Sequence, residues 1–111
     1  MPNQQYAACI EACNACAVAC DFCAASCLQE QDVKMMARCI ATDMDCAQIC
    51  RLAAAYMARG SEFAKALCQQ CADICQACGD ECAKHQMSHC QECAAACKRC
   101  ADECRRMAAA A

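Results

Sequence analysis

The sequence predicts an all-α fold, an up-down-up-down antiparallel four-helix bundle with a cysteine-lined core, and three observations lead to it. Cysteines recur at alternating steps of four and three residues, which on an α-helix returns each side chain to nearly the same face. Four stretches carry such a pattern, each roughly 20–27 residues long, and the connectors between them span only a few residues, as between antiparallel neighbours. No strand is visible anywhere in the chain.

The clearest stripe comes first. Cys9, Cys13, Cys16, Cys20, Cys23 and Cys27 lie on one side of a helix expected over about 4–30, with Glu11, Asn14, Asp21 and Gln29 on its other faces. The polar segment Gln29-Glu30-Gln31-Asp32 reads as the first turn. A second helix, about 33–59, places Met36, Cys39, Cys46, Cys50, Ala53 and Met57 at stripe spacing, and both Thr42 and Asp43 fit the gap between Cys39 and Cys46. Gly60-Ser61 then punctuates the chain, glycine closing one helix and serine reading as the N-cap of the next. The third helix, about 62–85, presents Phe63, Leu67, Cys68, Cys71, Cys75, Cys78 and Cys82. Gly79 within it costs roughly 1 kcal/mol against alanine, which close approach of a neighbouring backbone would justify. After the connector around His85, Met87 and His89, Ser88 and Gln91 read as a capping box for the fourth helix, about 89–108. Its stripe is Cys90, Cys93, Cys97, Cys100, Cys104 and Met107.

Composition bounds what such a bundle contains. The chain has 111 residues, one domain by length (1–111), and 60% of them are apolar. Nineteen of those apolar residues are Cys and 28 are Ala, leaving few large aliphatic or aromatic side chains. Each fully buried large apolar side chain supplies roughly 1.5–3 kcal/mol, so sulfur, or something bound to sulfur, must fill the interior. The usual reading of a cysteine-rich chain, a secreted disulfide scaffold, meets three objections: the N-terminus shows no apolar leader segment, the cysteine count is odd, and thiols four apart on one helix point the same way. Free or metallated thiols in a reducing cytoplasm are therefore expected. No run is expected to approach a membrane span, so the chain reads as soluble. A net charge of −3 without a basic cluster argues against a nucleic-acid partner. No nucleophile–base arrangement is readable, so no enzyme is expected.

The metal follows from charge. Many unpaired thiolates along a dry axis would cost more than a fold can supply, whereas one monovalent soft cation replacing each thiol proton leaves the core neutral. Zn²⁺ in four-thiolate sites leaves two surplus negative charges per metal, and the loop-wrapped spacing of iron–sulfur motifs differs from this alternation. Cu(I) accepts two or three thiolates, and pairs four apart, such as Cys9/Cys13, Cys16/Cys20, Cys78/Cys82 and Cys100/Cys104, could chelate it from one helix. A capacity on the order of one Cu(I) per cysteine is expected. Zinc and iron–sulfur proteins remain the rival thiolate readings, and copper delivery by a chaperone is the rival to a reservoir.

In its motifs the chain resembles the cytosolic copper storage proteins. The resemblance rests on Ala8-Cys9-Ile10-Glu11-Ala12-Cys13, Cys46-Ala47-Gln48-Ile49-Cys50, Cys71-Ala72-Asp73-Ile74-Cys75-Gln76-Ala77-Cys78-Gly79 and His89-Cys90-Gln91-Glu92-Cys93. It implies Cu(I) storage by core thiolates and a homotetramer of bundles; exchange with copper chaperones or transporters is a further expectation.

The bundle topology brings the first and third connectors to one end. Cys27, Met35, Met36, Cys39, Cys82, His85, Met87, His89 and Cys90 gather there as a mouth of soft, neutral groups. Tyr56, Met57, Phe63, Leu67 and Met107 close the other end, with Cys9, Cys68 and Cys104 just inside. Cu(I) is expected to pass His85, Met87 and His89, although both histidines could equally cap helix termini. Asp43 is a candidate ligand near the mouth if it, rather than Thr42, faces inward. Met36 and Met87 are candidate thioether ligands or core filler.

Overall fold

A computed structural model describes residues 4–110. Its helices are α1 (Ala7–Cys27), α2 (Ala37–Ala58), α3 (Ala64–Ala83) and α4 (Ser88–Ala109), with single 3₁₀ turns at Gln4–Tyr6 and Val33–Met36 leading into α1 and α2. Each helix packs on two others around a square, α1 on α2 and α4, α3 on α2 and α4, in a rod of 46 × 20 × 18 Å. There is no strand among the described residues.

The four helices begin and end close to the expected places, and the departures are local. The first helix stops at Cys27 instead of continuing to about residue 30. Where the thiol stripe ends, the backbone tightens into three-residue bonds, Gln29 N–H to Ser26 O at 3.0 Å and Glu30 N–H to Cys27 O at 3.2 Å. The Asp32 side chain then accepts from Met35 N–H at 3.4 Å, so the second helix opens as a 3₁₀ turn. Gly60, at φ 66°, closes α2 with Ser61 N–H on Tyr56 O and Gly60 N–H on Met57 O, both at 3.0 Å, a pair of bonds that requires the left-handed conformation glycine tolerates. Ser61 does not cap α3. Its hydroxyl accepts from Phe63 N–H at 3.1 Å, a turn ahead of a helix that starts at Ala64.

The expected capping box at Ser88 and Gln91 is likewise absent. Ser88 is the first residue of α4, preceded by extended Met87, and no side chain caps the start. Gln91 reaches backwards, its amide donating to the carbonyls of Ala83 and His85, and so satisfies backbone acceptors at the end of α3. Gly79 has the expected reason: a Cβ there would stand 3.1 Å from Cys97 Cβ and 3.6 Å from Ala94 O, where α4 lies close against α3.

The interior is sulfur with small and flexible filler. All nineteen thiols are buried and free, and Ala12, Ala17, Ala47, Ala53, Ala64, Ala72 and Ala101 fill the space between helices. Small side chains permit the close packing that volume-poor interiors need. The segment Gln4–Cys27 is, by length and composition, long and apolar enough to cross a membrane, contrary to the expectation that no run approaches one. Its apolarity comes from Ala and Cys, and those cysteines face the bundle core.

Candidate metal centre

The stripes place the thiols in layers along the axis. Groups of four with sulfurs within 4.8 Å of one another run along the axis from the mouth, among them Cys23/Cys27/Cys39/Cys90, Cys20/Cys78/Cys93/Cys97, Cys16/Cys20/Cys46/Cys97, Cys16/Cys46/Cys50/Cys75 and Cys13/Cys71/Cys100/Cys104. The second, third and fourth groups share members; Cys50 stands 3.7 Å from both Cys71 and Cys100 of the last, and Asp43 joins Cys39 of the first to Cys78 and Cys93 of the second, so the array is continuous. Cys9 continues it to the far end, 3.6 Å from Cys104, where Cys68 is also buried.

The shortest contacts cross between helices. Cys46 and Cys75 stand 3.2 Å apart, Cys39 and Cys82 3.5 Å, and Cys20 and Cys93 3.6 Å, whereas pairs on one helix such as Cys16/Cys20 and Cys46/Cys50 lie at 3.9 Å. Each of these five groups nevertheless contains one pair four apart on a single helix and takes its other two thiols from two further helices, so helical spacing and interhelical packing both build the groups. Two sulfurs bound linearly to one metal at about 2.3 Å each are at most about 4.6 Å apart, so an ion can bridge neighbours here with little helix movement.

Asp43 takes the empty place in the second stripe. It is fully buried, while Thr42 is half-exposed and turns its hydroxyl to Arg38 O at 2.9 Å. Asp43 Oδ1 accepts from Cys78 at 3.1 Å, Cys93 at 3.2 Å and Cys82 at 3.4 Å, and Oδ2 from Cys39 at 3.8 Å, linking mouth thiols to those of the next layer. Burial first, and then the hydrogen bond with Cys78, push its carboxyl up to about 12, so it is a neutral acid inside a neutral thiol core. Burial likewise holds the thiols of Cys27 and Cys90 above the usual thiol range, helped by the proximity of Cys23 and Cys39.

The two histidines occupy different settings. His89 Nδ1 lies 3.5 Å from both Cys23 and Cys90 and 3.9 Å from Cys27, and its buried Nε2 has no hydrogen-bond partner. His85 instead points Nε2 at Glu81 Oε2, 2.9 Å away. Glu81 is itself buried, and it also meets Lys84 at 3.5 Å and Arg38 at 3.9 Å. The hydrogen bond with His85 is the main cause holding the Glu81 carboxyl below its ordinary range. The mouth is thus more polar than the expected neutral ring: a knot of charges around Glu81 surrounds it, Met35 is exposed, Met87 is half-buried against the core and Met36 is buried.

The far end also differs in detail. Met57 is buried and Tyr56, Leu67 and Met107 pack against the core, but Phe63 is 59% exposed and does not plug the end. Tyr6 does, three residues before Cys9 on the same stripe, and that spacing was the available signal. Glu81 was also unforeseen, and its signal was its place four residues before His85.

Fold and site together define a class: an all-α bundle whose interior is a continuous column of thiols. The copper storage protein family model matches residues 2–109, and the chain belongs to that family. It is 51% identical over 107 residues to the uncharacterized cysteine-rich protein YhjQ of Bacillus subtilis, covering 96% of this chain and 99% of that one. The Cu(I)-bound copper storage protein BsCsp3 superposes with a TM-score of 0.91 at 50% identity, over 95% of this chain and 99% of the other. A cytosolic copper storage protein from Streptomyces lividans, loaded with five coppers, superposes with a TM-score of 0.94 at 43% identity, over 98% and 96%.

Proposed function

We propose that this chain stores Cu(I) in the cytosol, holding many ions on the thiolates of its core at roughly one per cysteine. The observation that carries the reading is the burial of all nineteen thiols in one connected array, which suits capacity rather than exchange through a single exposed site. Cys9, Cys13, Cys16, Cys20, Cys23, Cys27, Cys39, Cys46, Cys50, Cys68, Cys71, Cys75, Cys78, Cys82, Cys90, Cys93, Cys97, Cys100 and Cys104 are the proposed ligands. Each Cu⁺ that displaces a thiol proton leaves the interior neutral, while Zn²⁺ in these overlapping four-thiol groups would stack surplus negative charge in the same dry volume. Asp43 and His89 complete the proposed ligand set near the mouth, supported by their sulfur contacts.

Copper enters and leaves, on this reading, past His85, Met87 and His89, with buried Met36 as a further soft group at that end. Replacing His85, Met87 and His89 together by alanine slows loading and leaves total capacity nearly unchanged; loading at the unaltered rate would remove the access route from the proposal. Storage involves no catalysis, and copper chaperones or transporters are the proposed exchange partners. The chain is proposed to assemble as a homo-oligomer, a tetramer by family resemblance. Val18 and Phe22, one turn apart and more than half exposed on α1, together with exposed Met44 and Leu52 on α2, support a self-associating apolar face. Light scattering on the purified protein checks the assembly.

A further inference from the structure

Glu81 has a role to explain, since a carboxylate rarely stays buried without a partner that justifies its desolvation. Its side chain is 9% exposed, in the last turn of α3, beside a His85 side chain that is 11% exposed. Glu81 Oε2 takes His85 Nε2 at 2.9 Å, while Oε1 faces Lys84 Nζ at 3.5 Å and Arg38 Nε at 3.9 Å. The two cations come from the end of α3 and the start of α2, so the carboxylate is held from two helices.

We propose that Glu81 is a positioning residue for the copper access route, fixing the His85 ring so that Nδ1 is the nitrogen offered to metal. An ionised carboxylate only accepts hydrogen bonds, so Nε2 must carry the proton. In a neutral imidazole the lone pair then lies on Nδ1. A carboxylate behind a ligand histidine fixes its tautomer and raises its basicity, and loss of such a partner costs about 10–100-fold in metal binding or activity. His89 reaches the same result by another means, its Nδ1 already set against the thiols of Cys23 and Cys90. The mouth then offers two successive Nδ1 donors, His85 outside the thiol array and His89 against it. The inference rests on the access route proposed above.

Three variants test it: Glu81→Leu, which keeps an apolar side chain in place and removes the acceptor, His85→Ala, and the double variant. Long-range ¹H–¹⁵N spectra of the apo protein at about pH 8, where an unperturbed histidine is neutral, report the tautomer directly. His85 should be wholly the Nε2–H form in the wild type and a mixture of the two neutral tautomers in Glu81→Leu. Stopped-flow transfer of Cu(I) from a chromophoric chelator should show both single variants slowed by a similar factor, about tenfold or more, with the double variant no slower than either and capacity intact. The positioning role is overturned if Nε2–H remains the sole form in Glu81→Leu, if Glu81→Leu loads at the wild-type rate while His85→Ala is slow, or if the two effects multiply. Normal loading by His85→Ala overturns the access route itself and is distinguished from failure of the Glu81 role by the tautomer spectra, which need no copper.

Discussion

Replacing Asp43 by asparagine should change how apo-protein stability responds to pH. In the folded chain the Asp43 carboxyl is neutral, pushed up to about 12 by burial and by the hydrogen bond with Cys78. In the unfolded chain an aspartate ionises near 3.9. Above that pH the folded state holds a proton the unfolded state has released, so the stability present below it is lost as pH rises towards the folded value. The slope is about 1.4 kcal/mol per pH unit, and between pH 4 and pH 7 it accumulates to about 4 kcal/mol. For a chain of this size that corresponds to a fall in Tm of roughly 15–30 °C at 4–8 °C per kcal/mol. Glu81, whose carboxyl is held low, adds a dependence of opposite sign only at more acid pH. The histidines are common to both proteins and cancel in the comparison. Anaerobic urea unfolding with a non-thiol reductant, followed by circular dichroism from pH 5 to 7.5, measures the difference. Wild-type stability should fall across that range while Asp43→Asn stays nearly level and becomes the more stable protein at pH 7. Parallel slopes in the two proteins would refute a buried neutral Asp43.

Other changes test the geometry at separate points. Asp43→Cys completes the second stripe with a twentieth thiol and should raise Cu(I) capacity by about one equivalent per chain, read from chelator competition. Gly79→Ala gains about 1 kcal/mol of helix propensity but forces a methyl to 3.1 Å from Cys97 Cβ, where overpacking costs about 1–3 kcal/mol. A net loss of roughly 1 kcal/mol is expected in thermal unfolding of the apo protein. Tyr6→Ala opens the far end of the core and should lower apo stability by about 3 kcal/mol, the typical cost of removing a buried aromatic side chain, with Cu(I) capacity preserved.

Helix number, order and inward face were all legible because cysteine is so abundant that its period alone draws the core of every helix. What spacing could not do was choose between neighbours. Thr42 and Asp43 lie one residue apart and both fit the stripe gap, and only packing shows that threonine can satisfy its hydroxyl on its own helix while aspartate must find thiols. The capping box at Ser88 failed for a related reason: Gln91 had a stronger use for its amide across the connector, on carbonyls at the end of α3. Phe63 was drawn inward by its apolarity, yet the helix begins at Ala64 and leaves the ring outside. Tyr6 and Glu81 were missed because neither belongs to the cysteine pattern, although both stand at helical spacing from residues that do.

The most direct measurement is an anaerobic titration of the fully reduced protein with Cu(I) in the presence of a competing chromophoric chelator, with Zn²⁺ retention measured alongside. With nineteen cysteines per chain, binding should saturate at about one Cu(I) per cysteine and Zn²⁺ should be displaced. A plateau near four equivalents, or Zn²⁺ retained in preference to Cu(I), would contradict a core-wide copper store.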